Sequence, residues 1–165
     1  MKKLIIFLLF SLPLFAYADS FAVVDRQALL ESMPEYQAAE IKIAEISRQY
    51  HDEYARMSAD IDKKFQDYQL MQNDGMPSTI RERRIQEIQN LQKRAQQFLE
   101  TAEADLIAKE AELKQPLENK INNLLREIGI EENFTFIFPV DAPLFYGIEV
   151  VDITDRVIAR LKETK

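Results

Sequence analysis

The spacing of apolar residues between positions 39 and 128 is the feature that most limits what this chain can fold into. In the first half of this region, apolar or aromatic residues follow one another at intervals of three or four, so that Ile43, Tyr54 and Phe65 are eleven residues apart. The same repeat continues in the second half. A repeat of this length corresponds to about 3.67 residues per turn and is typical of long paired helices that run nearly straight. The two series are Ala39, Ile43, Ile46, Tyr50, Tyr54, Met57, Ile61, Phe65 and Tyr68, and then Leu91, Ala95, Phe98, Ala102, Leu106, Lys109, Leu113, Leu117, Lys120, Leu124 and Ile128.

A single turn-forming stretch, NDGMPS at positions 73–78, separates the two series. Gly75 can take a positive φ angle, Pro77 can end the turn and Ser78 can cap the following helix. Each apolar stripe is narrow and needs a partner to bury it. The sequence therefore predicts an antiparallel helical hairpin over residues 34–128 with its tip at 73–78. Each arm of about 40 residues would extend roughly 60 Å.

Local signals suggest where the arms begin and end. Ser32, followed by Pro34 in the first turn and Glu35 at the third position, fits a capping box for the first arm. Pro116 predicts a kink in the second arm unless packing absorbs the missing hydrogen bond. Gly129 is the expected residue just beyond the end of that arm.

The rest of the chain is short and rich in strand-forming residues. Strands are predicted at Phe21–Val24, at Phe134–Phe138 (stopped by Pro139) and at Leu144–Tyr146. A last helix is expected to start within residues 152–155, with Asp152 as its cap and Asp155 at the third position. Its apolar face would consist of Ile153, Val157, Ile158 and Leu161.

These elements predict a fold that is mainly α with a small β base. The hairpin is inserted between strands of a β/α body made of residues 19–33 and 129–165. Such a small sheet has uncovered edges and is expected to be stabilised by oligomerisation through the β region. Val23, Phe136 and Phe138 are the predicted interface residues.

The first eighteen residues have the pattern of an export signal. Lys2 and Lys3 precede a short apolar run, and Ala16-Tyr17-Ala18 fits a signal-peptidase site. The alternative is an uncleaved anchor, but the run is short for a bilayer and Pro13 interrupts it. We expect cleavage after Ala18 and a location outside the cytoplasm. The absence of Cys excludes disulfides, thiolate metal sites and a lipid-modified cysteine.

The charge of the chain is uneven. Without Lys2 and Lys3, 19 basic residues face 28 acidic ones, a net charge of −9 that makes general nucleic-acid binding unfavourable. Only residues 63–94, around the predicted tip, carry a positive balance. Arg81, Arg83 and Arg84 are therefore candidates for steering acidic unfolded proteins or anionic lipid toward the arms. The alternative is an ordinary solvated helix face.

The sequence gives little support for an enzyme. The single histidine, His51, falls on the first arm, where a solvated side chain is favoured over a general base. The three glycines are isolated, so no Gly-rich phosphate loop exists and ATP-driven cycling is not expected. We predict no catalytic residues, no metal and no cofactor.

Apolar residues outside the two series are candidates for binding other proteins. The aromatic residues Tyr50, Tyr54, Phe65 and Tyr68 could contact a client, but packing across the hairpin is favoured for them. The better candidates are scattered, which suits many weak contacts. They are Leu70, Met71, Met76, Ile80, Leu99 and Ile107.

Several stretches together resemble the Skp (OmpH) family of periplasmic chaperones. These are AVVDRQALLESMPEYQAAEIKI, the hairpin, LKQPLENKINNLLREIG, ENFTFIFP and EVVDITDRVIARL, in that order along the chain. The resemblance implies a homotrimer whose strands form a body from which three hairpins surround a cavity. It also implies a holdase that binds unfolded outer-membrane proteins without ATP. An envelope scaffold that docks one folded partner is the alternative function. The acidic composition departs from the basic members of the family.

Overall fold

The computed structural model describes residues 20–72 and 75–163. The predicted signal peptide lies outside the described residues, as do Asn73 and Asp74 of the turn. The architecture is the predicted one, a long helical hairpin joined to a small β-containing body. In chain order the elements are β1 (Phe21–Val24), α1 (Arg26–Glu31), α2 (Pro34–Gln72), α3 (Ser78–Glu131), β2 (Phe136–Pro139), β3 (Val151–Asp152) and α4 (Thr154–Glu163).

The hairpin consists of α2, with 39 residues, and α3, with 54 residues. At 1.5 Å per residue, α3 is about 80 Å long. It is longer than predicted because it continues past residue 128 into the body. The second predicted series is buried or half-buried throughout, with Ala95 and Ala102 at its centre.

The first series is confirmed except at one position. Phe65 was expected in the seam between the arms, but it is 48% exposed. Lys64 is half-buried there instead, and its ammonium group lies 2.7 Å from Glu87 Oε1 on α3. The aliphatic stem of a lysine can cover apolar surface while its charged end finds a partner, which explains the one-residue change of face.

Two predicted N-terminal caps are wrong. Ser32 ends α1 rather than starting α2, and its hydroxyl donates to the Leu29 carbonyl at 2.7 Å. Pro34 is the first residue of α2, as predicted, and the Met33 carbonyl accepts from the next turn. At the tip, Gly75 has the predicted positive φ, 74°. Ser78, the predicted cap of α3, is instead the first residue of that helix. Pro77 occupies the cap position, and no side chain caps the helix.

The end of α3 also differs from the prediction. Gly129 lies inside the helix, and Asn133 takes the left-handed conformation with φ 57°. The Phe134 N–H donates to the Gly129 carbonyl at 2.9 Å, and the Asn133 N–H donates to the Ile130 carbonyl at 3.4 Å. This pair of bonds is the Schellman arrangement, which satisfies the last carbonyl groups of a helix. Upstream, α3 remains helical through Pro116.

The sheet has the order β2-β1-β3, and both pairings are parallel. Phe21 lies opposite Phe136, and Ala22 lies opposite both Ile137 and Val151. The second strand begins later than predicted and includes Pro139, which is tolerated because β2 is an edge strand. The third predicted strand is wrong, since Leu144–Tyr146 is irregular and β3 lies at Val151–Asp152.

The core of the body lies between the sheet, α1, α4 and the last turns of α3. α4 starts at Thr154, within the predicted stretch, and the residues of its predicted apolar face are buried or half-buried. Asp152 ends β3 and does not directly precede the helix, but its carboxylate accepts from the Thr154 N–H at 2.9 Å. The Asp25 N–H donates to Thr154 Oγ1 at 2.9 Å and thereby joins the start of the chain to its end. The core residues are Ala22, Val24, Leu29, Met33, Ile121, Leu124, Ile128, Ile153, Val157 and Leu161.

Candidate functional site

Apolar side chains lie exposed on both arms, outside the seam. Leu70 is 70% exposed and Ile107 is 62% exposed, and Met71, Ile80 and Leu99 are also exposed. Met76, the remaining candidate, is half-buried. Leu70, Met71 and Ile80 lie close to the turn, whereas Leu99 and Ile107 lie further along α3 toward the body. The candidates therefore form a scattered set along the hairpin.

Sequence reasoning missed three members of this set. Ile41, which is 70% exposed, and Ile85 lie outside the two seam series and could have been found by the same criterion as the others. Phe65 could not, because its position in the repeat assigned it to the seam. These side chains remain in contact with water because the narrow seam is already filled, largely by small or half-buried residues.

The aromatic residues of α2 mainly pack across the seam. The rings of Tyr50 and Phe98 meet edge to face with centroids 6.0 Å apart. The Tyr50 hydroxyl donates to Asp105 Oδ2 at 2.5 Å, and this bond is the main cause of the raised pKa of Tyr50. Tyr54 and Tyr68 are half-buried. Tyr50, Tyr54 and Tyr68 are therefore at least partly covered in the seam, whereas Phe65 is exposed.

Charged side chains join the arms near both ends of the hairpin. Near the body, Lys114 Nζ lies 2.7 Å from Glu40 Oε1 and 2.6 Å from Glu110 Oε1. Hydrogen bonds to these two carboxylates raise the pKa of Lys114, and the bond from Lys114 lowers the pKa of Glu40. Ion pairs between α2 and α3 therefore form part of the contact between the arms, together with the apolar residues of the seam.

The predicted tip arginines have different surroundings. Arg84 Nη1 lies 3.1 Å from Glu87 Oε2, so much of its charge is compensated. Hydrogen bonds from Lys64 and then Arg84 lower the pKa of Glu87. Arg81 makes a long bond of 3.5 Å to the Met76 carbonyl, and Arg83 makes no ion pair within the described chain. Arg83 and Arg84 also line an open groove of about 780 Å³ along α3.

The outer face of the body sheet carries an aromatic cluster. The rings of Phe21 and Phe136 stack at 6.1 Å, and those of Phe136 and Phe138 at 5.6 Å. Phe136 and Phe138 are exposed, in keeping with the predicted interface. Val23 is only 1% exposed within a single chain, so its side chain is already covered and offers little area to another subunit.

A second apolar surface of the body, at positions 144–148, was missed as a surface because its composition suggested a paired strand. Leu144 and Ile148 are fully exposed, and Phe145 is 85% exposed. Phe136 and Phe138 are exposed on the same body, so several large apolar side chains of the body are uncovered in a single chain. Patches of this kind mark interaction sites in soluble proteins.

The described part of the chain offers neither a metal-binding cluster nor a membrane-spanning helix. His51 is exposed on α2. Within residues 20–72 and 75–163, no group of three His, Cys, Asp or Glu side chains is placed to hold a metal ion. No helix in that part of the chain is both long enough and apolar enough to cross a membrane.

Comparisons with known proteins agree with this architecture. The sequence model of the family described as Outer membrane protein (OmpH-like) matches residues 20–161. A crystal structure from Caulobacter crescentus, described as that of an OmpH-like outer membrane chaperone, superimposes with a TM-score of 0.71. The two sequences are 14% identical, and the match covers 90% of this chain and 86% of the other. No curated protein sequence matches this chain.

Proposed function

Because this chain belongs to the OmpH-like outer membrane protein family, we propose that it is an ATP-independent holdase chaperone of the periplasm. It binds unfolded outer-membrane β-barrel proteins and prevents their aggregation before they insert into the membrane. The fold shared with the Caulobacter crescentus protein, which is described as an OmpH-like outer membrane chaperone, supports this proposal. No catalytic step and no cofactor is part of it.

The observation that carries the proposal is the scattered exposure of apolar side chains on both arms. Leu70, Ile80, Leu99 and Ile107 are exposed at separate places along the hairpin, so their side chains do not gather into one apolar pocket for a single ligand. A client chain held by many such contacts gains affinity from their number, because each further contact is intramolecular once the first has formed. Individual contacts remain weak, and the client stays mobile and can be released.

The proposal includes assembly into a homotrimer. The exposed Phe136 and Phe138 of the sheet, together with Leu144, Phe145 and Ile148, supply apolar area that a neighbouring subunit would cover. Three hairpins would then surround a common space and raise the local concentration of weak binding sites. Native mass spectrometry checks this, since a stable monomer at micromolar concentration contradicts the trimer.

Export is the remaining part of the proposal. Residues 1–18 act as a signal peptide that is cleaved after Ala18, and the mature protein acts between the two membranes. N-terminal sequencing of protein from the periplasmic fraction tests the cleavage site. The basic tips provide a peripheral contact with an anionic membrane surface, while nucleic acid is not a partner.

The deciding experiment measures light scattering while several unrelated unfolded β-barrel proteins are diluted from urea. We expect the full chain to suppress their aggregation at near-stoichiometric ratio. The triple variant Leu70→Gln, Ile80→Gln and Ile107→Gln should suppress it less. A matched variant with Gln69, Gln86 and Gln92 changed to Ala alters exposed polar positions on the same arms and should behave as the parent.

An envelope scaffold that docks one folded partner is the competing function. It predicts that unfolded β-barrel proteins aggregate equally with and without this protein, and that a single folded envelope protein is retained by it. Equal protection by the parent and the Gln triple variant would also remove the support that the arm residues give to the holdase.

A further inference from the structure

We propose that a cavity at the root of the hairpin is a binding site for a single-chain amphipathic carboxylate of the fatty-acid type. The cavity has a volume of about 470 Å³ and lies where the beginning of α2, the last third of α3 and the end of α4 meet. Its size is within the range of about 300–1,000 Å³ found for small-molecule sites. This site is separate from the exposed arm residues of the proposed holdase and does not depend on that function.

The lining of the cavity is apolar toward the body core. Met33 and Leu161 are core residues with 2% and 7% exposure, so each presents only a small edge to the cavity, and the exposed Pro34 adds apolar surface beside them. A ligand in the cavity would lie against Pro34 and reach these two edges of the core. An alkyl chain is the ligand part that gains most from such a surface, because each buried methylene contributes about 0.8 kcal/mol in transfer free energy.

The polar groups of the cavity favour a negatively charged head group. Lys120 and Lys162 contribute two ammonium groups, and Glu35 contributes one carboxylate. Lys120 Nζ lies 3.9 Å from Glu35 Oε1, at the outer limit of an ion pair. Lys162 forms no hydrogen bond or ion pair with another described residue. The cavity thus has a local charge of +1 in a chain whose net charge is −7.

These two properties together exclude the commoner alternatives. A free inorganic anion would use the lysines but not the apolar lining, and a neutral alkane or alcohol would gain nothing from the two ammonium groups. A cationic amphiphile would be repelled by the positive balance. A carboxylate with a straight alkyl chain satisfies both parts, with its head near Lys120 and Lys162 and its chain along Pro34 and the exposed edges of Met33 and Leu161.

The methionines of the chain allow a direct test by NMR of the full-length protein labelled at its methionine methyl groups. Met33 lines the cavity, Met57 lies in the hairpin seam, and Met71 and Met76 lie at the tip. We expect decanoate, added below its micelle concentration, to shift the Met33 signal saturably and to leave the other three nearly unchanged. Decanol should bind Met33 about tenfold more weakly, and decyltrimethylammonium should bind more weakly still.

Substitutions test the role of the lysines. The double variant Lys120→Gln and Lys162→Gln should bind decanoate at least about fivefold more weakly than the parent. A control variant with Lys63→Gln and Lys93→Gln removes two exposed charges from the distal arms and should bind as the parent does. Thermal unfolding of both variants shows whether they are folded, and the labelled parent gives a result that does not depend on any substitution.

Three results would overturn the proposal. One is a Met33 signal that does not move at millimolar decanoate. Another is a common, non-saturating shift of Met33, Met57, Met71 and Met76, which indicates an adventitious additive only. The third is equal decanoate affinity in the parent and the Lys120/Lys162 variant. Light-scattering assays with unfolded β-barrel proteins proceed without decanoate, so a failed holdase and a failed carboxylate site give separate results.

Discussion

Asn133 is the residue that turns the chain out of its longest helix and toward the sheet. Its φ of 57° places it in the left-handed region, where a side chain with a Cβ is strained and asparagine is tolerated better than most residues. The two Schellman bonds of Asn133 and Phe134 depend on this conformation. The direction in which the chain enters β2 therefore depends on the backbone conformation of this one residue.

Changing Asn133 to Ala should lower the free energy of unfolding by about 1 kcal/mol, because alanine is strained at positive φ. Changing it to Gly should be neutral or slightly stabilising. Urea unfolding followed by circular dichroism at one protein concentration gives both values. Asn123→Ala, at an exposed position within α3, is the control and should lose no stability. Equal values for the Asn133→Ala and Asn133→Gly variants would contradict the argument from backbone conformation.

The ends of the helices could not be predicted reliably from individual residues. Glycine is the usual residue beyond a helix end, so Gly129 was the natural prediction for α3. The helix continues because Ile128 and the preceding turns are held in the core, and Asn133 then supplies the left-handed residue. Ser32 has the composition of a cap, but its hydroxyl bonds backward to Leu29. Local patterns identify residues able to end a helix, while tertiary packing decides which of them does so.

At the scale of secondary-structure elements, the long helices and β1 were predicted correctly, β2 was predicted with shifted ends, and β3 was missed. The eleven-residue repeat extends over many turns, so a single deviation such as Lys64 in place of Phe65 does not obscure it. β3 has two residues, and no periodic pattern exists over so short a length. The aromatic Leu144–Tyr146 stretch looked more like a strand than Val151–Asp152. Val151–Asp152 forms the strand because it is the segment that pairs in parallel with β1, and this pairing depends on the path of the whole chain.

Pro116 weakens α3 without interrupting it. Proline has no N–H to donate to the carbonyl of Glu112, four residues earlier, and its ring crowds that turn. Replacing Pro116 by Ala should raise the free energy of unfolding by roughly 1–3 kcal/mol, as measured by urea unfolding. Gln115→Ala, at the neighbouring exposed position, is the control and should change stability little. A destabilised Pro116→Ala variant would mean that proline fixes a bend on which the packing of the arms depends.

The ion pairs between the arms make hairpin stability depend on pH. The pKa of Glu87 is lowered from 4.5 by hydrogen bonds from Lys64 and Arg84, so its charged form is stabilised in the folded state. This contribution is present above pH 4.5 and is lost as pH falls through the lowered folded pKa. Glu87→Gln should therefore melt below the parent at pH 7, and the difference should shrink as the pH is lowered through this range.

Thermal melts followed by circular dichroism at pH 7 and pH 3 measure this change. Glu82→Gln is the matched control, because Glu82 is exposed on the same helix and makes no ion pair within the described chain. Its effect on the melting temperature should be smaller at pH 7. A Glu87→Gln effect of the same size at both pH values would exclude the ionised Lys64–Glu87–Arg84 cluster as its cause.

At the scale of the whole molecule, the uneven charge predicts an effect on the rate at which clients are captured. The tip is the basic region of an acidic chain, and electrostatic steering acts mainly on association and is screened beyond about 8 Å at physiological salt. Changing Arg81, Arg83 and Arg84 to Gln should slow capture of acidic unfolded clients at low ionic strength. Stopped-flow fluorescence of a labelled client gives the rate, and the difference should largely disappear at high salt.

The structure also distinguishes two of the three arginines, Arg83 and Arg84. Arg84 is compensated by Glu87, whereas Arg83 makes no ion pair within the described chain. Arg83→Gln alone should therefore slow capture more than Arg84→Gln alone. Lys42→Gln, on α2 close to the body, is the control for a general change in net charge. Equal capture rates for the triple variant and the parent at low salt would leave the basic tip with no role beyond solubility.

The parallel sheet determines the order in which the protein can fold. β1 is near the beginning of the chain, but both of its partners follow the hairpin, and the Asp25–Thr154 hydrogen bond joins residues 129 positions apart. Closing so long a loop is entropically costly unless the intervening chain is already compact. The hairpin forms from contacts close in sequence to its turn and shortens the distance between the strands. The body is therefore the last part to be completed, and a chain emerging from its N-terminal end acquires its arms before the base that holds them.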